Sequence, residues 1–222
     1  MRVLGVDGCR GRWLAARVDD AAIAWTLTGD VDALLHGDED AVGIDIPIGL
    51  PDEGRRQCDV AARSVLGRRG VSVFAAPLRG VLACASYAEA RAVLAARGAA
   101  SMSAQAYGIV AAVRAVDQAL RPGDDERVLE AHPEVAFALM GGGAGLPGKR
   151  TTAGIAARLR LLTGWRADVL HALEHAPGGT GLDDALDALA CAWVAQRFVN
   201  GVATVLGDGA RDSRGLPMRI VA

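Results

Sequence analysis

The chain opens with short apolar runs that are separated by turn residues. Runs of four to eight apolar residues bounded by Gly, Pro or Asp are typical of buried strands. The pattern predicts strands over residues 3–6, 12–18, 23–28 and 41–46. Because only the turn-like "DDAA" separates the second run from the third, the first three strands are predicted to form an antiparallel meander. Asp30 is a capping residue for a short predicted helix over residues 30–36.

Helical spacing of apolar residues dominates the rest of the chain. The predicted helices cover residues 55–66, 86–97, 103–120, 152–162, 167–175 and 182–199. One more strand is predicted over residues 127–130, and the tail after residue 200 predicts two short strands around a loop. The glycine-rich segment at 141–151, "GGGAGLPGKRT", predicts a flexible connector. We therefore predict one α/β domain over residues 1–222, with a helical insertion at about 52–122 between the fourth and fifth strands.

Composition narrows the class of protein. A chain of 222 residues with 51% hydrophobic and 23% charged residues is expected to fold around a core rather than to be disordered. A net charge of -2 gives no overall attraction to nucleic acid, so binding to a polyanion would need a local basic patch. The four cysteines lack C-x-x-C spacing, which argues against a zinc module. Without a signal-peptide pattern or an apolar run of 18 residues, we expect a cytoplasmic protein and no membrane partner.

Several acidic residues occupy similar positions at the ends of predicted strands. Asp7 follows the apolar run "VLGV", Asp45 lies inside "VGIDIPIG", and Glu130 follows "RVL". A fourth group opens the last predicted helix and consists of Asp183, Asp184 and Asp187. Asp184 and Asp187 are three residues apart, so both project from one helical face. If the fold gathers these acids, their carboxylates would meet at one point.

Gathered carboxylates repel one another, and their pKa values rise unless a cation compensates. Mg²⁺ or Mn²⁺, as one or two ions, is the natural cation for such oxygen ligands. Two ions about 3.5–4 Å apart can activate water and stabilise the leaving oxygen of a phosphodiester. Each acid also has an ordinary explanation: Asp7 as a turn residue, Asp184 as a helix cap or first-turn charge, and Asp187 on a solvated face. Asp45 is the hardest to explain in this way, because burying it among apolar residues without a partner is costly.

The motifs that contain these acids resemble a known family. They include "GVDGCRGRW" at 5–13, "IDIPIGLP" at 44–51, "LEAHPEVAF" at 129–137 and "DDALDALACAW" at 183–193. With these motifs in family order over nearly the whole chain, it resembles the family catalogued as domain of unknown function 429, described as predicted ribonuclease H-like nucleases. The resemblance implies a ribonuclease H-like fold, with a five-stranded mixed sheet flanked by helices. It also implies metal ligands at Asp7, Asp45 and Asp184 or Asp187, with Glu130 as an addition.

Basic residues supply candidate contacts to a nucleic-acid substrate. The insertion carries a local basic group, which is either a phosphate-binding face or solvated helix surface: Arg55, Arg56, Arg63, Arg68, Arg69 and Arg79. Arg10 lies in the turn after Asp7 and is a further candidate. Lys149 and Arg150 lie between a glycine loop and a helix, a geometry that suits phosphate but equally suits ordinary loop charge. His132 is a candidate to position water or substrate, or has a structural role.

Three classes of function remain open at this point. The leading hypothesis is a metal-dependent nuclease that hydrolyses phosphodiester bonds of DNA or RNA. The second is a nucleotide-binding phosphotransferase of the actin or sugar-kinase type, in which the Asp7-Gly8 turn would face phosphates and Asp45 would serve as a base. Such proteins usually duplicate the fold, for which 222 residues leave no room. The third is a ribonuclease H-fold binding protein without catalysis.

Overall fold

A five-stranded mixed sheet forms the centre of the computed structural model, which describes residues 1–143 and 145–222. Its strands are β1 (Arg2–Cys9), β2 (Arg12–Asp19), β3 (Ile23–Thr28), β4 (Ala41–Ile44) and β5 (Val128–Glu130). The strand order is β3-β2-β1-β4-β5. The first three strands pair antiparallel, whereas β4 is parallel to both β1 and β5. This arrangement confirms the predicted meander and the predicted α/β fold class.

Helices cover both faces of the sheet. The helix between β3 and β4 is α1 (Val31–Leu35). Between β4 and β5 lie α2 (Gln57–Leu66), α3 (Tyr87–Ala96), α4 (Ala104–Gly108) and α5 (Val110–Ala119), with short 3-10 helices at Gly67–Ser72, Arg79–Ala83 and Asp124–Glu126. After β5 come α6 (Pro133–Met140), α7 (Thr152–Trp165), α8 (Val169–Glu174) and α9 (Leu182–Val199). The helical insertion therefore lies where the sequence predicts it.

The structure also departs from the predicted elements. The predicted helix over 103–120 is two helices that meet at Ile109, directly after Gly108, a residue that is unfavourable in a helix interior. Helix α6 is missing from the predicted set, although Pro133 at its first turn is a typical helix start. The predicted connector over 141–151 includes Ala144, which lies outside the described residues. The two predicted strands of the tail are present as β6 (Val205–Leu206) and β7 (Ile220–Val221), which pair antiparallel.

Two hydrophobic layers sandwich the sheet. Helices α6, α7 and α9 pack on one face, around buried residues such as Phe137, Leu162 and Leu189. Helices α1 and α5 pack on the other face, where Leu35 and Val113 are fully buried. Because β1 and β4 are covered on both faces, they are apolar along almost their whole length. Among the residues that the structure describes, no helix is both long and apolar enough to span a membrane.

Two glycines let α9 lie directly against the sheet backbone. Gly5 of β1 and Gly43 of β4 are partners in the parallel ladder. A Cβ at Gly5 would lie 2.0 Å from the carbonyl oxygen of Ala188, and a Cβ at Gly43 would lie 2.4 Å from that of Cys191. No side chain fits at such distances, so close approach of α9 requires glycine at both positions. The approach fixes where α9 places its acidic residues relative to the sheet.

Candidate metal centre

Three acidic residues lie near one another under α9, where the parallel pairing of β1 with β4 ends. Asp7 lies two residues after Gly5 on β1, and Asp45 lies two residues after Gly43, directly beyond β4. Residues two apart in a strand share a face, so both acids point to the side that α9 covers. Helix α9 contributes Asp187, next to the Ala188 carbonyl that lies against Gly5. We call Asp7, Asp45 and Asp187 the acid cluster.

Burial and mutual repulsion dominate the electrostatics of the acid cluster. Asp7 is 8% exposed and Asp187 is 3% exposed. Burial, followed by the charges of Asp45 and Asp187, raises the pKa of Asp7 well above its usual value. Burial likewise raises the pKa of Asp45 to about 7 and that of Asp187 to about 6. The site therefore holds more negative charge than its surroundings stabilise.

Lys149 is the cation that faces the acid cluster. Its Nζ donates a hydrogen bond of 2.6 Å to Oδ2 of Asp187. The charge of Lys149 lowers the pKa values of Asp7, Asp45 and Asp187, so it lies within electrostatic reach of all three. Burial lowers the pKa of Lys149 itself, but the contact with Asp187 and the charges of Asp7 and Asp45 together raise it above the usual lysine value.

The structure gives Asp184 and Asp187 different surroundings. Oδ2 of Asp184 accepts hydrogen bonds from the Gly181 N–H at 3.1 Å and from the Cys9 thiol at 3.0 Å, so Asp184 caps the start of α9. Its charge still contributes to raising the pKa of Asp7. Asp187, one turn further on, joins Asp7 and Asp45. Of the two acids that the resemblance leaves open, Asp187 is the one with a carboxylate in the acid cluster.

Glu130 has a different role from the predicted one. Both of its carboxylate oxygens accept hydrogen bonds from Arg56, at 2.6 and 2.7 Å, and Oε2 also accepts the Ile48 N–H at 2.7 Å. Arg56 also pairs with Asp59, whose other oxygen accepts the Ala76 N–H. This buried network joins β5 to the insertion. We therefore correct the expectation for Glu130: its oxygens are engaged by Arg56, and we leave it out of the metal ligands.

The predicted basic face is smaller in the structure than in the sequence. The prediction that Arg56 binds substrate is wrong, because its side chain is 1% exposed and is held by Glu130. Arg63 donates to the Val73 carbonyl, and Arg79 pairs with Asp117 and Asp212. The candidate residues that stay at the surface are Arg10, Arg55, Arg68 and Arg150, with Arg69 partly buried.

A cavity of about 440 Å³ adjoins the acid cluster. Asp45, Asp187 and Lys149 form part of its wall, and Arg69 and Phe74 of the insertion face them. His132 also lines the cavity; its Nδ1 is buried and has no hydrogen-bond partner among the described residues. Burial lowers the pKa of His132, which favours the neutral imidazole. A larger cavity, of about 980 Å³, lies among residues of the insertion and is lined by none of the acid cluster.

A second group of possible metal ligands lies elsewhere, on residues that are not among the predicted site residues. His171, Glu174 and His175 are exposed on α8 and its C-cap, and one ligand atom of each lies within 4.8 Å of the others. Within residues 1–143 and 145–222, no other set of three His, Cys, Asp or Glu side chains is that close, so the acid cluster is more widely spaced. The signal in the sequence is the pair of histidines four residues apart in "HALEH", which places both on one helical face.

The order of strands and the position of the acids define the class of protein. Three antiparallel strands followed by two parallel ones, with an acid on β1, one directly after β4 and one on the last helix, define an α/β protein whose sheet is consistent with a ribonuclease H-like fold. The chain belongs to the family described as protein of unknown function (DUF429), whose model matches residues 5–211. Neither a curated protein nor a solved structure matches the chain.

Proposed function

We propose that this protein is a Mg²⁺- or Mn²⁺-dependent nuclease that hydrolyses phosphodiester bonds of DNA or RNA. One observation carries the proposal: Asp7, Asp45 and Asp187 lie near enough for their charges to act on one another, and among the described residues only Asp187 of the three has a basic side chain as its partner. A purely structural site would be expected to pair such carboxylates fully, as Arg56 pairs with Glu130. Acids beside a cavity that no basic side chain pairs, as Asp7 and Asp45 here, are typical of sites that bind a cation.

The donor set fits a hard divalent ion. Carboxylate oxygens suit Mg²⁺ and Mn²⁺, and Mg²⁺ usually keeps several waters while one or two carboxylates hold it. The wide spacing of the acid cluster is compatible with that, since all three acids need not contact one ion. Asp7 and Asp45 would hold the ion, with Asp187 next to it. A bound ion would supply a water of lowered pKa and positive charge for the leaving oxygen.

The protein's own side chains would bind and orient the substrate. Arg69 and Arg150 lie at the cavity and would attract phosphate groups of the incoming strand. His132, as a neutral imidazole that lines the cavity, would hold a water or a phosphate oxygen in place. Phe74, 44% exposed, offers an apolar surface to a base or sugar. The proposal includes a cytoplasmic location, in keeping with four cysteines that are all free and buried.

The test is cleavage of labelled single- and double-stranded DNA and RNA in Mn²⁺. We expect the wild type to cleave at least one of these substrates and to be inactive in EDTA. Changes in the surroundings of metal ligands commonly cost 10- to 100-fold in activity, so Asp45→Asn, which alters a ligand, should cost about 100-fold or more. Asp20→Asn is the matched control, because Asp20 is 86% exposed on the turn between β2 and β3.

Two results would contradict the proposal. One is a wild-type protein that cleaves none of the four substrates, and the other is cleavage by Asp45→Asn at the rate of Asp20→Asn. The phosphotransferase alternative predicts instead that ATP with Mg²⁺ raises the melting temperature while nucleic acid stays intact.

A further inference from the structure

Lys149, the only lysine of the chain, places its positive charge against the acid cluster. We infer that Lys149 is a built-in cation of this site, so that the site holds one divalent ion rather than two. The inference rests on the proposed metal-dependent function. Its basis is the placement of Nζ, 2.6 Å from Asp187 and within electrostatic reach of Asp7 and Asp45.

The three carboxylates of the acid cluster are shared unevenly between Lys149 and the proposed divalent ion. Asp187 is 4% exposed at its side chain, and its Oδ2 is already bound to the ammonium group of Lys149. That contact leaves Asp7 and Asp45, at the ends of the two parallel strands, to hold an ion. The three carboxylates of the acid cluster with one lysine and one divalent ion are neutral as a group, and the nearby Glu134 is paired with Arg69 and Arg158. A second divalent ion would have to enter beside a fixed positive charge, which repels it.

The segment that carries Lys149 is fixed to the protein on both sides of the lysine. On the N-terminal side, the Pro147 carbonyl accepts a hydrogen bond of 3.0 Å from Arg158, whose side chain is 1% exposed. On the C-terminal side, the Thr151 hydroxyl donates to the Gly148 carbonyl at 2.8 Å and accepts the Gly154 N–H at 3.1 Å. Lysine on a free loop would pay a large entropic cost to reach the acids, whereas these bonds hold the backbone beside them.

Gly154 shows how closely this segment packs. A Cβ at Gly154 would lie 2.0 Å from the Gly148 carbonyl oxygen and 2.8 Å from that of Pro147. The first turn of α7 is therefore in direct contact with the backbone that precedes Lys149, and only glycine permits it. Arg158 extends the same contact to α6, because it also pairs with Glu134 at 2.6 Å. Such packing is expected for a lysine that stays in the site, and not for one that leaves when ions bind.

The test is the number of Mn²⁺ ions bound per chain, measured by isothermal titration calorimetry with the metal alone. All variants carry His171→Ala, so that the exposed histidine pair on α8 adds no signal. The parent should bind one ion. Lys149→Met should bind two, because it frees Asp187 and removes the repelling charge. Arg150→Met, the matched control, removes one positive charge from the neighbouring exposed residue and should still bind one ion.

Thr151→Val is a second variant that tests whether Lys149 limits the site to one ion. It keeps Lys149 and every acid but removes both hydrogen bonds of the hydroxyl, so the lysine is held less firmly and a second ion should bind. A parent that binds two ions would overturn the inference. So would Lys149→Met and Thr151→Val proteins that are folded by circular dichroism and still bind one.

Different results contradict the nuclease proposal and the inference that Lys149 limits the site to one ion. A parent that binds two ions and cleaves nucleic acid contradicts the inference and leaves the nuclease proposal standing. A parent that binds one ion, gains a second in Lys149→Met and cleaves nothing supports the inference and contradicts the nuclease proposal. A parent and a Lys149→Met variant that both bind no Mn²⁺ contradict both.

Discussion

Asp45 shows how much a local pattern can predict about a single residue. An acid between apolar residues at the end of a strand is costly to bury, and this alone marked it as a candidate. The same pattern could not separate Glu130 from Asp45, because the partner of Glu130 is Arg56, 74 residues away along the chain. Lys149 and Asp187 are likewise 38 residues apart. Which acids are paired depends on long-range contacts that a single sequence does not display.

The raised pKa values of the acid cluster have a consequence for stability. Asp45 has a pKa of about 7 in the folded protein, against 3.8 as its ordinary value, so between these the folded state binds more protons than the unfolded state. Stability therefore falls as pH rises through this range. Burial and like charges act in the same direction on Asp7 and Asp187.

We predict that Asp45→Asn weakens this pH dependence. The free energy of unfolding of the wild type, measured in urea with EDTA present, should fall from pH 5 to pH 8. The fall should be smaller in Asp45→Asn, because one titrating group is gone and the pKa of Asp7 is no longer raised by its charge. Asp20→Asn should keep the wild-type slope. Equal slopes in all three proteins would show that Asp45 is not a strained, protonatable acid.

Among the secondary-structure elements, the contact of α9 with the sheet determines where Asp187 lies relative to Asp7 and Asp45. The sequence predicts α9 over 182–199 with the bounds that the structure gives, since its apolar spacing is long and regular. It does not reveal that Gly5 and Gly43 are partners in the ladder, because strand register is a property of the pairing rather than of either strand. The sequence also does not predict that the helical segment over 103–120 divides at Ile109, where Gly108 interrupts the helical pattern.

Gly43→Ala tests this contact. The new Cβ would lie 2.4 Å from the Cys191 carbonyl oxygen, so α9 must shift away from β4. Forced overpacking costs about 1–3 kcal/mol, and sometimes more, in the free energy of unfolding. Gly29→Ala is the control, because its Cβ would meet nothing within 4 Å, and its effect should stay within about 0.5 kcal/mol. Urea unfolding measures both, and equal stabilities of the two variants would rule out a close α9 contact.

For the whole molecule, the sequence predicts the sheet, its antiparallel beginning and the place of the insertion. These follow from the spacing of apolar runs and from short connections, which constrain topology strongly. What the sequence could not supply is the direction in which the insertion faces. In the structure it brings Arg69 and Phe74 to the cavity beside the acid cluster, while the Arg56 network ties it to β5. The insertion thus forms one wall of the proposed substrate site.

The central claim is that Asp7 and Asp45 hold a divalent ion, and crystals grown with Mn²⁺ test it most directly. We predict an anomalous scattering peak within bonding distance of both carboxylates, about 2.1 Å from their oxygens. Lys149 should remain paired with Asp187 in the same crystal. An acid cluster without a Mn²⁺ peak, or a peak only between His171 and His175 on α8, would contradict the claim.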